Sequence, residues 1–240
     1  MVRAGLIPRL RRGAGRLVWD VLTLVPTDRP LQSLAAALLP LLELDLSEVD
    51  RLAEVGKLAA HFDNGTVTLR DVATRVLAKQ PGTNRLMLFV DQWEELYTLC
   101  ADEAVRNTFI EQLLQAAGTD WLRVVLTLRG DFMGHALANR ALSDQLQDAV
   151  VTIGPMTRAE LAETITKPAE AVGLDFEPGL DETILDEVGE EPGALPLLEF
   201  LLEGLWAERR GTRLTYGAYT RLGRVSGAIA HRAEAVFRDS

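Results

Sequence analysis

The run Leu86-Met87-Leu88-Phe89-Val90, closed by Asp91, constrains the fold more than any other stretch of the chain. Five consecutive apolar residues without polar alternation describe a strand buried on both faces, and such strands occur mainly in parallel sheets covered by helices on each side. The strand ends on a carboxylate and is followed by Gln92-Trp93-Glu94-Glu95-Leu96. An Asp at the carboxyl end of a central parallel strand lies on the edge where open α/β sheets take their ligands. An Asp there also caps the helix that follows a strand, and residue type alone leaves both roles open. A second run of the same kind, Trp121-Leu122-Arg123-Val124-Val125-Leu126-Thr127-Leu128, ends on Arg129. Two buried strands thus deliver opposite charges to one edge, where Arg129 either meets an anion or pairs with Asp131 or Glu94.

Composition narrows the function. With 240 residues, 48% of them hydrophobic and 25% charged, the chain has the make-up of a globular protein with one good core or two small ones. A formal net charge of −10, from 25 basic and 35 acidic residues, argues against direct nucleic-acid binding, which needs a basic footprint. The single cysteine, Cys100, rules out an internal disulfide and a cysteine metal cluster, and His61, His135 and His231 are too scattered to suggest a zinc site. The arginine-rich start (Arg3, Arg9, Arg11, Arg12, Arg16) lacks the apolar run of a secretory signal. The longest apolar stretch, Leu34 to Leu42, is interrupted by Pro40 and falls short of the roughly 20 residues of a membrane helix. The reading is a soluble cytoplasmic protein without a membrane partner.

Four strings, LMLFVDQWEELYTL, RVVLTLRGDF, VTIGPMTRAEL and VGEEPGALPLLEFLLEGLW, in this order and spacing, resemble the novel STAND NTPase group. These are AAA+-related P-loop switch ATPases, found mostly in bacterial multidomain proteins and often joined to WD-repeat propellers. The resemblance implies an ATP- or GTP-dependent signal-transduction switch using Mg²⁺, with a winged helix and C-terminal repeats as intramolecular partners and a homo-oligomer forming on activation. Asp91 takes the Walker B place, where an Asp holds Mg²⁺ beside the phosphates. Many AAA+ ATPases carry a water-activating glutamate next, but here the residue is Gln92, which leaves Glu94 and Glu95 as candidates; a solvated, acid-rich helix start explains them equally well. Arg129 matches a sensor of the γ-phosphate. Gly193-Ala194-Leu195-Pro196 resembles the G-x-P motif of the lid, whose proline packs near the adenine, although Pro196 in a first helical turn needs no ligand.

One element of the family is missing from these residues. No G-x-x-x-x-G-K-[ST] phosphate loop occurs, and the opening Val2 to Leu10 resembles the segment that follows that loop. The expectation is therefore an α/β P-loop NTPase sheet lacking its first strand, with the loop lost or upstream of an artificial start, and a chain that is inactive alone. The alternative from a different class is a non-catalytic remnant or protein-interaction module.

Strands are predicted near 17–25, 86–91, 122–128 and 150–153, alternating with helices, as in a parallel α/β unit over residues 1–154. An all-helical lid over 155–222 and the start of a winged helix over 223–240 follow. Thr68 with Asp71 and Thr157 with Glu160 read as helix N-termini, and Gly189 as a helix stop. In the strand order 5-1-4-3-2 that the resemblance implies, the central place is empty. The strands ending at Leu128 and Ile153 are then expected either to flank a gap or to pair directly.

Overall fold

The structure is a computed structural model that describes residues 2–12, 17–43, 45–189, 194–225 and 227. It divides into two compact units, Met1–Val150 and Val151–Ser240. The first opens with a π-helical turn, Val2–Leu6, that runs into α1 (Ile7–Arg12). Then follow β1 (Trp19–Leu24), α2 (Pro30–Leu42), α3 (Glu48–Asp63), α4 (Leu69–Lys79) and β2 (Arg85–Val90). The unit ends with α5 (Glu95–Thr98), α6 (Glu103–Ala117), β3 (Leu122–Leu126), a 3-10 turn at Gly130–Phe132, α7 (Met133–Ala138) and α8 (Arg140–Leu146).

The three strands form one parallel sheet in the order β1-β2-β3, with Leu22 opposite Leu88 and Leu88 opposite Val124. β2 is the central strand, and all its residues after Arg85 are buried. Alternation splits them between two apolar layers. Leu86, Leu88 and Val90 enter the main core with Leu22, Leu24 and Leu122, beneath α2, α4 and α6. Met87 and Phe89 face the other way, where Ile7, Val2 and Leu10 of the amino-terminal helical segment cover them together with Trp19, Val21 and Val125. Among the described residues β1 and β3 are the edges of this sheet, and Val124, Val125 and Leu126 of β3 are only half-buried.

Local signals place the helices. Thr68 and Thr157 each accept from the backbone N–H three residues on, while Asp71 and Glu160 return the bond to the Thr backbone, so both capping boxes form. Hydrogen bonds from Thr68 hold the Asp71 carboxyl below the usual range, and those from Thr157 do the same for Glu160. The helical region after β2 breaks at Cys100–Asp102, where Asp102 caps α6. Gln112 is the buried polar brace of this unit: its Oε1 accepts from Leu69 N at 2.8 Å and its Nε2 donates to Phe62 O at 3.0 Å, tying the end of α3 to the start of α4.

The second unit contains α9 (Arg158–Ala171), β4 (Asp175–Phe176), α10 (Leu180–Val188, closed by Gly189), α11 (Ala194–Ala207), β5 (Arg213–Leu214) and α12 (Tyr216–Arg221). Leu161, Ile165, Leu180, Ile184, Leu198, Leu201, Leu205 and Tyr219 form its core.

Two expectations are corrected. The predicted strand at 150–153 joins no sheet: the segment is irregular, with Val151 84% and Ile153 65% exposed. These residues have strand propensity but no neighbour to pair with, so neither the gap nor the direct pairing with β3 forms, and their exposure leaves the backbone open to solvent. The second unit is also not all-helical, because β4 and β5 pair in parallel, Asp175 with Arg213 and Phe176 with Leu214. Two-residue strands leave no periodic signature to read. The predicted winged-helix start lies almost wholly outside the described residues.

Replacing Gln112 by Leu strands the Leu69 amide inside the core. We expect Gln112→Leu to lower stability by about 1–3 kcal/mol, the cost of one unsatisfied buried donor, read as a lower urea midpoint at unchanged slope.

Candidate functional site

The carboxyl edge of the sheet is organised by the residue that follows β3, Thr127. As the chain leaves β2, Asp91 N still donates to Leu24 O of β1 at 2.8 Å, and Gln92 then adopts a left-handed φ of 55°. This turn is fastened to Thr127 through both backbone and side chain. Thr127 N donates to Val90 O at 3.0 Å, and Thr127 O accepts from Trp93 N at 2.9 Å. Its hydroxyl accepts from Gln92 N at 3.0 Å and donates to Asp91 Oδ1 at 2.7 Å. The hydroxyl therefore fixes the left-handed turn and one carboxylate oxygen at once.

Behind the turn, Trp93 is 1% exposed, and its indole Nε1 donates to the Tyr97 hydroxyl at 2.9 Å. Burial raises the Tyr97 phenol pKa, partly offset by the Trp93 bond and the charge of Arg106. Phe109 packs 5.8 Å from the Trp93 ring, so the turn is seated in the main core.

The second carboxylate oxygen of Asp91 is engaged as well. Arg3, from the amino-terminal π-helical turn, places Nη2 2.9 Å from Asp91 Oδ2. Asp91 does not cap the following helix: the residue preceding α5 is Glu94, and no side chain caps that helix. Glu94 turns the other way, its Oε2 accepting from Arg129 N at 3.4 Å. Glu95 stands half-buried in the first turn of α5. The Arg129 guanidinium pairs with Asp131, Nε to Oδ1 at 3.2 Å and Nη2 to Oδ2 at 2.8 Å, and lies 5.6 Å from the centre of the Phe132 ring. Both members of that pair are exposed, so the pairing is weak and readily exchanged.

Of the residues named from sequence, Asp91, Glu94 and Arg129 are brought together around Thr127, and Glu95 follows one residue on. Pro196 is not part of this unit; it is an exposed residue of the first turn of α11, and Gly193 of its motif lies outside the described residues. Sequence reasoning missed Thr127 and Arg3. The signal for Thr127 was present, as the one polar residue interrupting Val124-Val125-Leu126-Thr127-Leu128. Arg3 gave none, since nothing local links it to Asp91.

The donor set at Asp91, a carboxylate with a hydroxyl beside it, is hard oxygen and suits a divalent cation that takes one or two carboxylates from protein and the rest from phosphate and water. The phosphates find less. Gln92 N, Trp93 N and Arg129 N are all committed within the site, and the 240 residues contain no G-x-x-x-x-G-K-[ST] motif to offer others. Among the described residues no three or more His, Cys, Asp and Glu side chains gather as a metal-ligand group, so a cation at Asp91 would take most of its ligands from water or phosphate and bind weakly by itself.

A small parallel sheet with an acid and a base just past the ends of neighbouring strands, followed in the chain by a mainly helical unit, is compatible with an α/β nucleotide-binding domain. The family profile described as novel STAND NTPase 1 matches residues 1–240, and the chain belongs to that family of nucleotide-binding switch domains. No curated protein and no solved structure matches it significantly. NTPases of this kind generally use nucleotide and Mg²⁺. No helix among the described residues is long and apolar enough to cross a membrane.

Two outcomes follow from the Thr127 turn. Gln92→Gly is tolerated or slightly stabilising, whereas Gln92→Val, a β-branched residue in a left-handed conformation, costs about 1–2 kcal/mol. Thr127→Val leaves the Gln92 amide without a partner and costs about 1–3 kcal/mol, and Thr127→Ser recovers most of that loss. Equilibrium urea unfolding of the four variants measures both.

Proposed function

We propose that this chain supplies the cation-binding and phosphate-sensing half of a nucleotide-dependent switch. In this reading Asp91 holds the cation and Arg129 reports on the terminal phosphate. The observation that carries it is the Thr127 hydroxyl clamped on Asp91 Oδ1, two residues from Arg129 at the carboxyl edge of the sheet. Asp91, with the Thr127 hydroxyl beside it, would hold Mg²⁺, whose charge would offset that of the phosphates. Thr127 would keep the carboxylate in one rotamer, so that little ordering is left for the moment of binding. Arg129 would exchange the exposed carboxylate of Asp131 for phosphate oxygens, and that exchange would make its position depend on the nucleotide bound. Gln92 cannot accept a proton from water. Turnover would therefore be slow, with Glu94 or Glu95 the nearest carboxylates able to take that proton.

Pro196 would contribute from the lid, and further domains of a larger polypeptide, a winged helix and C-terminal repeats, would read out the state. The chain by itself would be inactive, because the amides and lysine of a phosphate loop provide most phosphate contacts in such enzymes. A second reading, a non-catalytic interaction module, is favoured by one observation: both charges of the site are already paired internally, Asp91 with Arg3 and Arg129 with Asp131.

Calorimetry separates the two. The chain as it stands binds Mg-ATP more weakly than about 1 mM, a free energy of only about −4 kcal/mol; micromolar binding overturns the dependence on a phosphate loop. Joined to a glycine-rich phosphate loop, the chain gains Mg²⁺-dependent ATP binding. Asp91→Asn then removes the Mg²⁺ dependence, and Arg129→Ala equalises the affinities for ATP and ADP. Failure of the joined protein to bind nucleotide selects the interaction module.

A further inference from the structure

The amino-terminal segment reaches the same carboxylate that the cation needs. Arg3 Nη2 lies 2.9 Å from Asp91 Oδ2 while Thr127 occupies Oδ1, so both oxygens are engaged. Arg3 is the one cation paired with Asp91 among the described residues, and its side chain is 63% exposed against 24% for Asp91. It stands on a π-helical turn, a rare geometry found most often at functional sites. That turn leads directly into α1, whose Ile7 and Leu10 seal Met87 and Phe89 on the second face of β2.

A guanidinium and a divalent cation on one carboxylate repel each other at these distances. We propose that Arg3 is a built-in counter-ion that competes with a divalent cation for Asp91, so that cation occupancy and docking of the amino-terminal helix oppose each other. This rests on the reading of Asp91 as the cation ligand. Linkage makes the effect reciprocal: what loosens the helix tightens cation binding, and a bound cation loosens the helix. With Arg3 exposed and Asp91 partly buried, the pair still opens to solvent on the arginine side, and a divalent cation can displace it. The helix then stays on the sheet only by its apolar contacts, and the Met87–Phe89 face is uncovered more often.

The test uses Mn²⁺ alone as probe, counted as free ion by electron paramagnetic resonance, on the wild-type chain and on Arg3→Gln, Arg3→Lys and Asp91→Asn. Arg3→Gln is expected to bind Mn²⁺ about two- to fivefold more tightly, the range set by a weak exposed pair. Arg3→Lys keeps the charge and stays near the wild type, and Asp91→Asn loses the site. In parallel, Mg²⁺ speeds amide exchange over residues 2–12 in the wild type and not in Asp91→Asn. A merely structural Arg3 would loosen the helix on substitution and leave Mn²⁺ affinity unchanged, which overturns the competition. If Arg3→Gln binds no more tightly while Asp91→Asn still loses the ion, the counter-ion proposal falls and the cation role of Asp91 survives. If Asp91→Asn binds as the wild type does, or neither the wild type nor Arg3→Gln binds, both fall together.

Discussion

Burial of β2 on both faces is the constraint from which the rest of the first unit follows. A strand with no polar residue between Leu86 and Val90 cannot present either side to water, so each side requires its own cover. One side has α2, α4 and α6 with a continuous core; among the described residues the other is covered by the short segment Val2–Arg12. Both covers pin β2 at the centre, and with it the place where the chain leaves the sheet. Asp91 is thus held at a defined depth, with Arg3 of the amino-terminal turn on its carboxylate, while Arg129, just past β3, pairs with Asp131.

The site depends on Thr127 in a way that no charge in it does. Its backbone continues the parallel pairing one step beyond the strands, and its hydroxyl converts that continuation into side-chain geometry. Gln92 accepts a left-handed φ because three bonds to Thr127 offset the strain. The charged residues, by contrast, sit in exposed pairs whose partners can be exchanged. A rigid neutral clamp surrounded by exchangeable ions suits a site that has to change partners without changing shape.

Sequence was most legible where structure is decided locally. The capping boxes at Thr68 and Thr157 and the stop at Gly189 each depend on a few adjacent residues, and all form as read. The central strand was legible because its pattern is continuous, and the order of the three strands agrees with the resemblance. The segment at 150–153 was misread because being a strand is a property of a pair, and its residues announce only half of one. The β4–β5 ladder joins residues far apart in sequence through two residues on each side, too few to show a period. The same distance hid Arg3 from Asp91, and the one polar position within an apolar run was the only trace of Thr127.

The two edge strands have a consequence for how the chain behaves in company. Among the described residues β3 pairs with β2 alone, and its half-buried Val124, Val125 and Leu126 have neither a charged residue after Arg123 in the strand nor a proline to blunt that edge. A strand edge of this composition is a template on which a further strand can add. Crowding, more than heat, is then the condition expected to tax the first unit, since pairing between copies grows with concentration while unfolding does not.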